Sequence, residues 1–101
     1  MWAQLQKVST KPEREAELLD IFAQLRALEQ ADSGLVQTMV MRSQADPTRV
    51  YVLVVFESEE KAREREQDPL RQQGLEQIRA AMGDVLDRPP EFFDLNVLID
   101  E

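Results

Sequence analysis

The chain has 101 residues, 43% of them hydrophobic, and a formal charge of −8 from 20 acidic and 12 basic side chains. Such a length predicts one domain over residues 1–101 with a small core, and the acidic balance argues against sequence-independent nucleic-acid binding, which needs a basic field. The absence of cysteine and histidine excludes disulfides, thiolate nucleophiles and iron–sulfur ligation, and removes the commonest general base and the usual haem and catalytic zinc ligand.

Taken from the start, MWAQLQKVST lacks the apolar run of a signal peptide, and no later stretch approaches the ~20 apolar residues of a membrane span. A cytoplasmic protein with no membrane partner is expected, and the missing cysteine fits a reducing compartment. Residues 2–9 read as a strand with Trp2, Gln4, Gln6 and Val8 on one face and Ala3, Leu5 and Lys7 on the other. Thr10 and Glu13 have capping-box spacing, with Pro12 in the first turn, ahead of a helix whose apolar stripe is Leu18, Leu19, Phe22, Leu25 and Leu28. Ala31-Asp32-Ser33-Gly34 supplies a Gly-assisted stop.

Leu35 to Arg42 and Arg49 to Phe56 are two further strands, joined as a hairpin through SQADPT with Asp46-Pro47 as turn chemistry. Ser58 is placed to cap a second helical region, with Glu59 and Arg63 spaced to pair. Asp68-Pro69 interrupts that region, because proline disfavours a helical residue before it. Helical periodicity resumes with Leu75, Ile78, Met82, Val85 and Leu86, Arg88-Pro89-Pro90 stops it, and Phe92 to Ile99 forms a last strand.

The order β-α-β-β-α-β predicts an α+β, ferredoxin-like fold, a four-stranded antiparallel sheet with its helices on one side. One strand raises a difficulty. Val50 to Phe56 is apolar at every position, whereas helices cover a single face. If Val52, Val54 and Phe56 lie beneath them, Tyr51, Leu53 and Val55 form an exposed apolar row. A second copy packed sheet to sheet would bury it, so a homodimer through the sheet face is expected.

Residues 34–70, GLVQTMVMRSQADPTRVYVLVVFESEEKAREREQDPL, resemble the antibiotic biosynthesis monooxygenase (ABM) domain family. The likeness rests on the glycine before the second strand, the Arg-Ser then Asp-Pro hairpin, the aromatic-Glu-Ser-x-Glu start of the helix and the later Asp-Pro break. With the flanking helix and strands it spans nearly the whole chain. It implies a dimeric α/β barrel with a cavity between sheet and helices. It also implies oxidation of a small aromatic, phenolic or quinol substrate without metal, flavin or other cofactor. Some relatives degrade haem, and many have no assigned activity.

Several positions depart from the family's pattern. Phe56 stands where members often have Trp, Arg65 where they often have His, and Val52 where oxygenases can carry Asn. Gln4 and Gln6 are the nearest polar residues to the strand-one Asn of the haem-degrading relatives. Without histidine, haem degradation by the family's usual ligand is not expected.

The cavity candidates are therefore Gln4, Gln6, Val52, Phe56 and Arg65, with no catalytic residue or metal ligand identified. Each has a plainer reading. Phe56 stacks on a flat ligand or is simply core; Arg65 steers an anion or is a solvated helix charge. Gln4 and Gln6 face the helices, where they need partners, or face a second subunit. Met39 and Met41 read as adaptable packing, Trp2 as packing or interface, and Asn96 as an edge or interface residue. The acidic run from Glu57 to Glu66, interleaved with Lys61, Arg63 and Arg65, reads as a self-paired helix face rather than a metal site. The competing expectation is a non-catalytic small-molecule-binding or structural homodimer of the same fold, its cavity filled by its own side chains.

Overall fold

The computed structural model describes residues 1–101. Strand β1 (Trp2–Ser9) leads through a single turn of 3-10 helix at Pro12–Arg14 into α1 (Glu15–Ala27). The hairpin follows as β2 (Leu35–Arg42) and β3 (Arg49–Phe56), then α2 (Glu59–Glu66), α3 (Pro69–Val85) and β4 (Glu91–Asn96). The four strands form one antiparallel sheet in the order β2-β3-β1-β4, the α+β, ferredoxin-like arrangement that the element order predicts.

Register assigns the faces. Trp2 pairs with Phe56, Gln4 with Val54, Gln6 with Val52 and Val8 with Val50, so these eight residues share one face. That face carries the core: Val50, Val52, Val54 and Phe56 cluster with Leu18 and Ile21 of α1 and Ile78 and Val85 of α3. Each such buried aliphatic or aromatic side chain contributes roughly 1.5–3 kcal/mol relative to exposure. Tyr51, Leu53 and Val55 point the other way, opposite Lys7, Leu5 and Ala3. Helices cover the central strands only, and every residue of β4 is exposed in a single copy.

Local details differ from the sequence expectations for physical reasons. The second helical region is two helices, because Asp68 is extended at ψ 118° before Pro69 and its side chain caps α3 by accepting from the Leu70 N–H. Thr10 does not cap α1. It is fully buried, and its hydroxyl donates to the Val85 carbonyl at 3.0 Å, tying the first loop to the end of α3. In α1 it is Ile21, not Leu19, that is buried, and Leu19 is half exposed. The helix ends at Ala27, well before Gly34, which instead turns the chain into β2 at φ +83°. Strand β4 stops at Asn96 rather than Ile99, leaving Leu98 and Ile99 exposed.

Candidate functional site

Between the helices and the sheet lies a cavity of about 630 Å³, whose apolar wall includes Trp2, Phe22, Leu25, Val52, Val54 and Phe56. The even-numbered residues of β1 reach it because alternation puts them on the helix side with Val52 and Val54. A β-bulge between Leu35 and Gln37 shifts the register of β2 and brings Val36 and Gln37 to the rim. Trp2 and Phe56 close one end, with ring centroids 6.1 Å apart and planes inclined at 46°. Trp2 is thus core on the helix side, not interface.

Gln4 and Gln6 form a directed chain. Gln4 Nε2 donates to Asp94 Oδ1 at 3.1 Å, and Gln6 Nε2 donates to Gln4 Oε1 at 3.4 Å. A carboxylate only accepts, so Asp94 sets the sense of both amides and leaves the Gln6 carbonyl oxygen as the acceptor at the cavity end. Asp94 is held below the usual carboxylate range by hydrogen bonds from Gln4 and from Arg63, the latter at 2.9 Å. The Arg63 guanidinium also lies 5.1 Å from the Trp2 ring centroid.

The charged wall is built from three side chains. Arg65 donates from Nε to both oxygens of Glu29, at 3.0 and 2.9 Å, and from Nη2 to Oε1 at 2.7 Å. Its guanidinium carbon is 5.1 Å from the Phe56 ring centroid. Arg65 is therefore neither a free anion-steering charge nor a solvated one; its side chain is 18% exposed and committed to Glu29. The third member is Arg71, whose Nη1 lies 3.9 Å from Glu29 Oε1, beyond hydrogen-bond reach. Burial would raise the Glu29 carboxyl, but hydrogen bonds from Arg65 and Ser33 and the charges of Arg65 and Arg71 bring it below its ordinary value. The same three residues border a polar cleft of about 290 Å³ on the outer side, lined also by Asp32, Lys61 and Glu64.

The cavity wall thus contains Gln4, Gln6, Val52, Phe56 and Arg65 together. Met39 and Met41 lie on the opposite sheet face, opposite Leu53 and Tyr51. Arg63, besides its contact with Asp94, pairs with Glu59 and Glu66 of its own helix at 3.2 Å each. No three acidic side chains gather where they could hold a metal ion. Sequence reasoning missed Glu29 and Arg71. Their signal was available: Glu29 continues the stripe of Leu18, Phe22 and Leu25, and Arg71 precedes Leu75, Ile78 and Met82 at the same helical spacing. A charge in register with an apolar stripe points inward and needs an explanation.

Solved structures of other proteins share this fold. A protein from Nitrosomonas europaea classed with the antibiotic biosynthesis monooxygenases superposes with TM-score 0.74 at 14% identity, covering 98% of this chain and 100% of that one. One from Caulobacter crescentus CB15, classed likewise, gives 0.75 at 18% identity over 97% and 90%. A variant of SnoaB, a cofactor-independent oxygenase from Streptomyces nogalater, gives 0.74 at 15% identity over 98% and 94%. No curated protein matches the chain. Identities this low establish the fold alone. The family model for antibiotic biosynthesis monooxygenase, however, matches residues 1–77, taking in β1, α1, the hairpin, α2 and all three residues of the charged wall. With sequence and fold in agreement, the chain belongs to the antibiotic biosynthesis monooxygenase family.

Proposed function

We propose that this protein is a cofactor-independent monooxygenase of a small aromatic, phenolic or quinol substrate, and that it works as a single-domain, cytoplasmic homodimer. The observation that carries the reading is the cavity of about 630 Å³ between helices and sheet. It exceeds the roughly 300 Å³ at which ligand sites begin. Twelve of its 21 lining residues are hydrophobic and suit a flat ring, the other nine are polar or charged, and a cavity of this size counts against a barrel filled by its own side chains.

The chemistry asks little of the protein. A phenol and dioxygen give a quinone and water: one oxygen atom forms the new carbonyl and the other leaves as water with two hydrogens from the substrate. The substrate supplies all the electrons, so no external reductant enters the balance. Trp2, Phe56 and the valines of β3 orient the ring and exclude water, while the Gln6 carbonyl oxygen accepts a substrate hydroxyl. The cationic wall favours the electron-rich anion that reacts with oxygen.

Self-association is supported by the outer sheet face. Met39, Phe93 and Leu95 are each more than two-fifths exposed there, beside Leu53 and Tyr51. The chemical test is incubation with 1-naphthol under isotopically labelled dioxygen. The expected product is a naphthoquinone carrying one labelled oxygen, absent without protein or without oxygen. Saturable naphthol binding with no oxygen uptake by it or by related quinols overturns the oxygenase. That result would favour the second reading, a non-catalytic aromatic-binding homodimer. A specific feature supports it: Val52 stands where oxygenases of the family can carry Asn, and Phe56 where family members often have Trp.

A further inference from the structure

The charged wall is not balanced. Two guanidiniums, Arg65 and Arg71, face one carboxylate, Glu29, and the three donor contacts from Arg65 take up both of its oxygens. Arg71 is left at 3.9 Å, its side chain only 12% exposed and its Nη1 buried with no hydrogen-bond partner. Other acidic groups near it are occupied. Glu66 accepts from Arg63 at 3.2 Å, and Asp68 accepts from Gln30 and from the Leu70 N–H, both at 3.0 Å. Burial, then the charge of Arg65, push the Arg71 guanidinium below its ordinary value, although an arginine remains charged. A buried, underpaired cation is costly for a small domain to keep.

The setting is equally uneven. The chain carries −8 overall, yet the cavity wall holds Arg26, Arg65 and Arg71 against Glu29 and Glu66. The free acceptor of Gln6 and the charged wall sit at separate places along the sheet. Gln6 is level with Val52, four residues along β3 from Phe56, where Arg65 and its companions lie. At about 3.3 Å per residue that is roughly 13 Å, with Val54 between, flanked by Gln4 and Thr38.

We propose that Arg71 is the anion-recognition residue of this cavity, and that its ligand is a flat aromatic carboxylate, with the carboxylate at Arg71 and a hydroxyl directed to Gln6. The inference rests on the aromatic-ligand reading above and narrows it to an acid. A ligand carboxylate supplies the partner that Arg71 Nη1 lacks, forming a charge-assisted hydrogen bond at a largely buried donor. Arg65 then acts as a positioning residue, holding Glu29 away from Arg71 while covering Phe56.

The test compares 6-hydroxy-2-naphthoate, whose hydroxyl and carboxylate lie at opposite ends of the ring system, with neutral 2-naphthol by calorimetry, with quenching of Trp2, the one tryptophan, reporting occupancy of the cavity. Wild-type protein should bind the naphthoate at least tenfold more tightly than naphthol. Arg71→Met should abolish that preference, while Arg71→Lys retains part of it. Thermal stability of Arg71→Met should equal or exceed wild type, since an apolar side chain of similar length replaces an underpaired buried charge. A purely structural arginine would lower stability without touching the naphthoate-to-naphthol ratio. Equal binding of the two probes by wild type, or a preference that survives in Arg71→Met, overturns the role of Arg71 while leaving an aromatic site intact. Failure of both probes to bind wild type overturns the aromatic-ligand reading and this inference with it.

Discussion

Arg65 lies against the ring of Phe56, its guanidinium carbon 5.1 Å from the ring centroid, while its nitrogens grip both oxygens of Glu29. One side chain thereby joins α2 to the end of β3 and to the turn after α1. Arginine suits this position because its planar fork fits a carboxylate in one direction and an aromatic face in another.

Glu29→Gln tests that junction. The change keeps volume but leaves Arg65 and Arg71 without a counter-charge, and breaking a largely buried pair should cost about 3 kcal/mol. Because the folded protein holds the Glu29 carboxyl below its ordinary 4.5, the stabilisation is complete above that value and fades as pH falls through the lower folded value. Thermal melts should show a constant gap between wild type and variant at neutral pH, narrowing below 4.5. A gap independent of pH would show that the carboxylate's charge is not what stabilises.

Phe56→Leu removes the ring under Arg65 and beside Trp2 while keeping an apolar side chain at a 3% exposed position. Stability should fall by about 1–2 kcal/mol from lost packing and cation–π attraction. Binding or turnover of an aromatic substrate should fall with it, measured on protein shown by circular dichroism to be folded. Unchanged turnover would count against Phe56 as a cavity wall.

Leu53→Asp addresses the second face. Leu53 lies between Leu5 and Met39 on the side away from the helices, so a charge there should leave the fold intact and dissociate the proposed dimer. Light scattering coupled to size exclusion should report a dimer for wild type at micromolar concentration and a monomer for the variant. A monomeric wild type would refute the dimer.

Two glycines make opposite predictions. At Gly34, with φ +83°, a Cβ would sit 2.7 Å from the Lys61 Cβ, so Gly34→Ala should destabilise by about 2 kcal/mol through left-handed strain and overlap. At Gly83, within α3, an added Cβ meets nothing within 4 Å, and Gly83→Ala should stabilise by up to about 1 kcal/mol. Urea unfolding of both variants checks the pair.

What could be read from the sequence follows the range of the interactions involved. Strand alternation and helix periodicity are local, so β1, the hairpin, α1 and the Asp68-Pro69 break were legible, as was the sidedness of β3. The capping box at Thr10 misled because a distant carbonyl, that of Val85, competes for the same hydroxyl. The end of β4 was read too long, since a strand stops where its partner does and β1 begins pairing only at Trp2, opposite Asn96.

The sequence by itself determined the fold class, because periodicity, turn residues and two unlike faces of one strand are written in consecutive positions. It also determined which chemistries are absent, since residue types alone decide that. Only the tertiary structure decided which amide face meets the helices and which arginine has a partner. Glu29 and Arg65 stand 36 positions apart, and no local pattern shows that their pairing leaves Arg71 Nη1 without a hydrogen-bond partner. A charge balance at one point in space depends on how three elements pack, and that is settled only when the chain is folded.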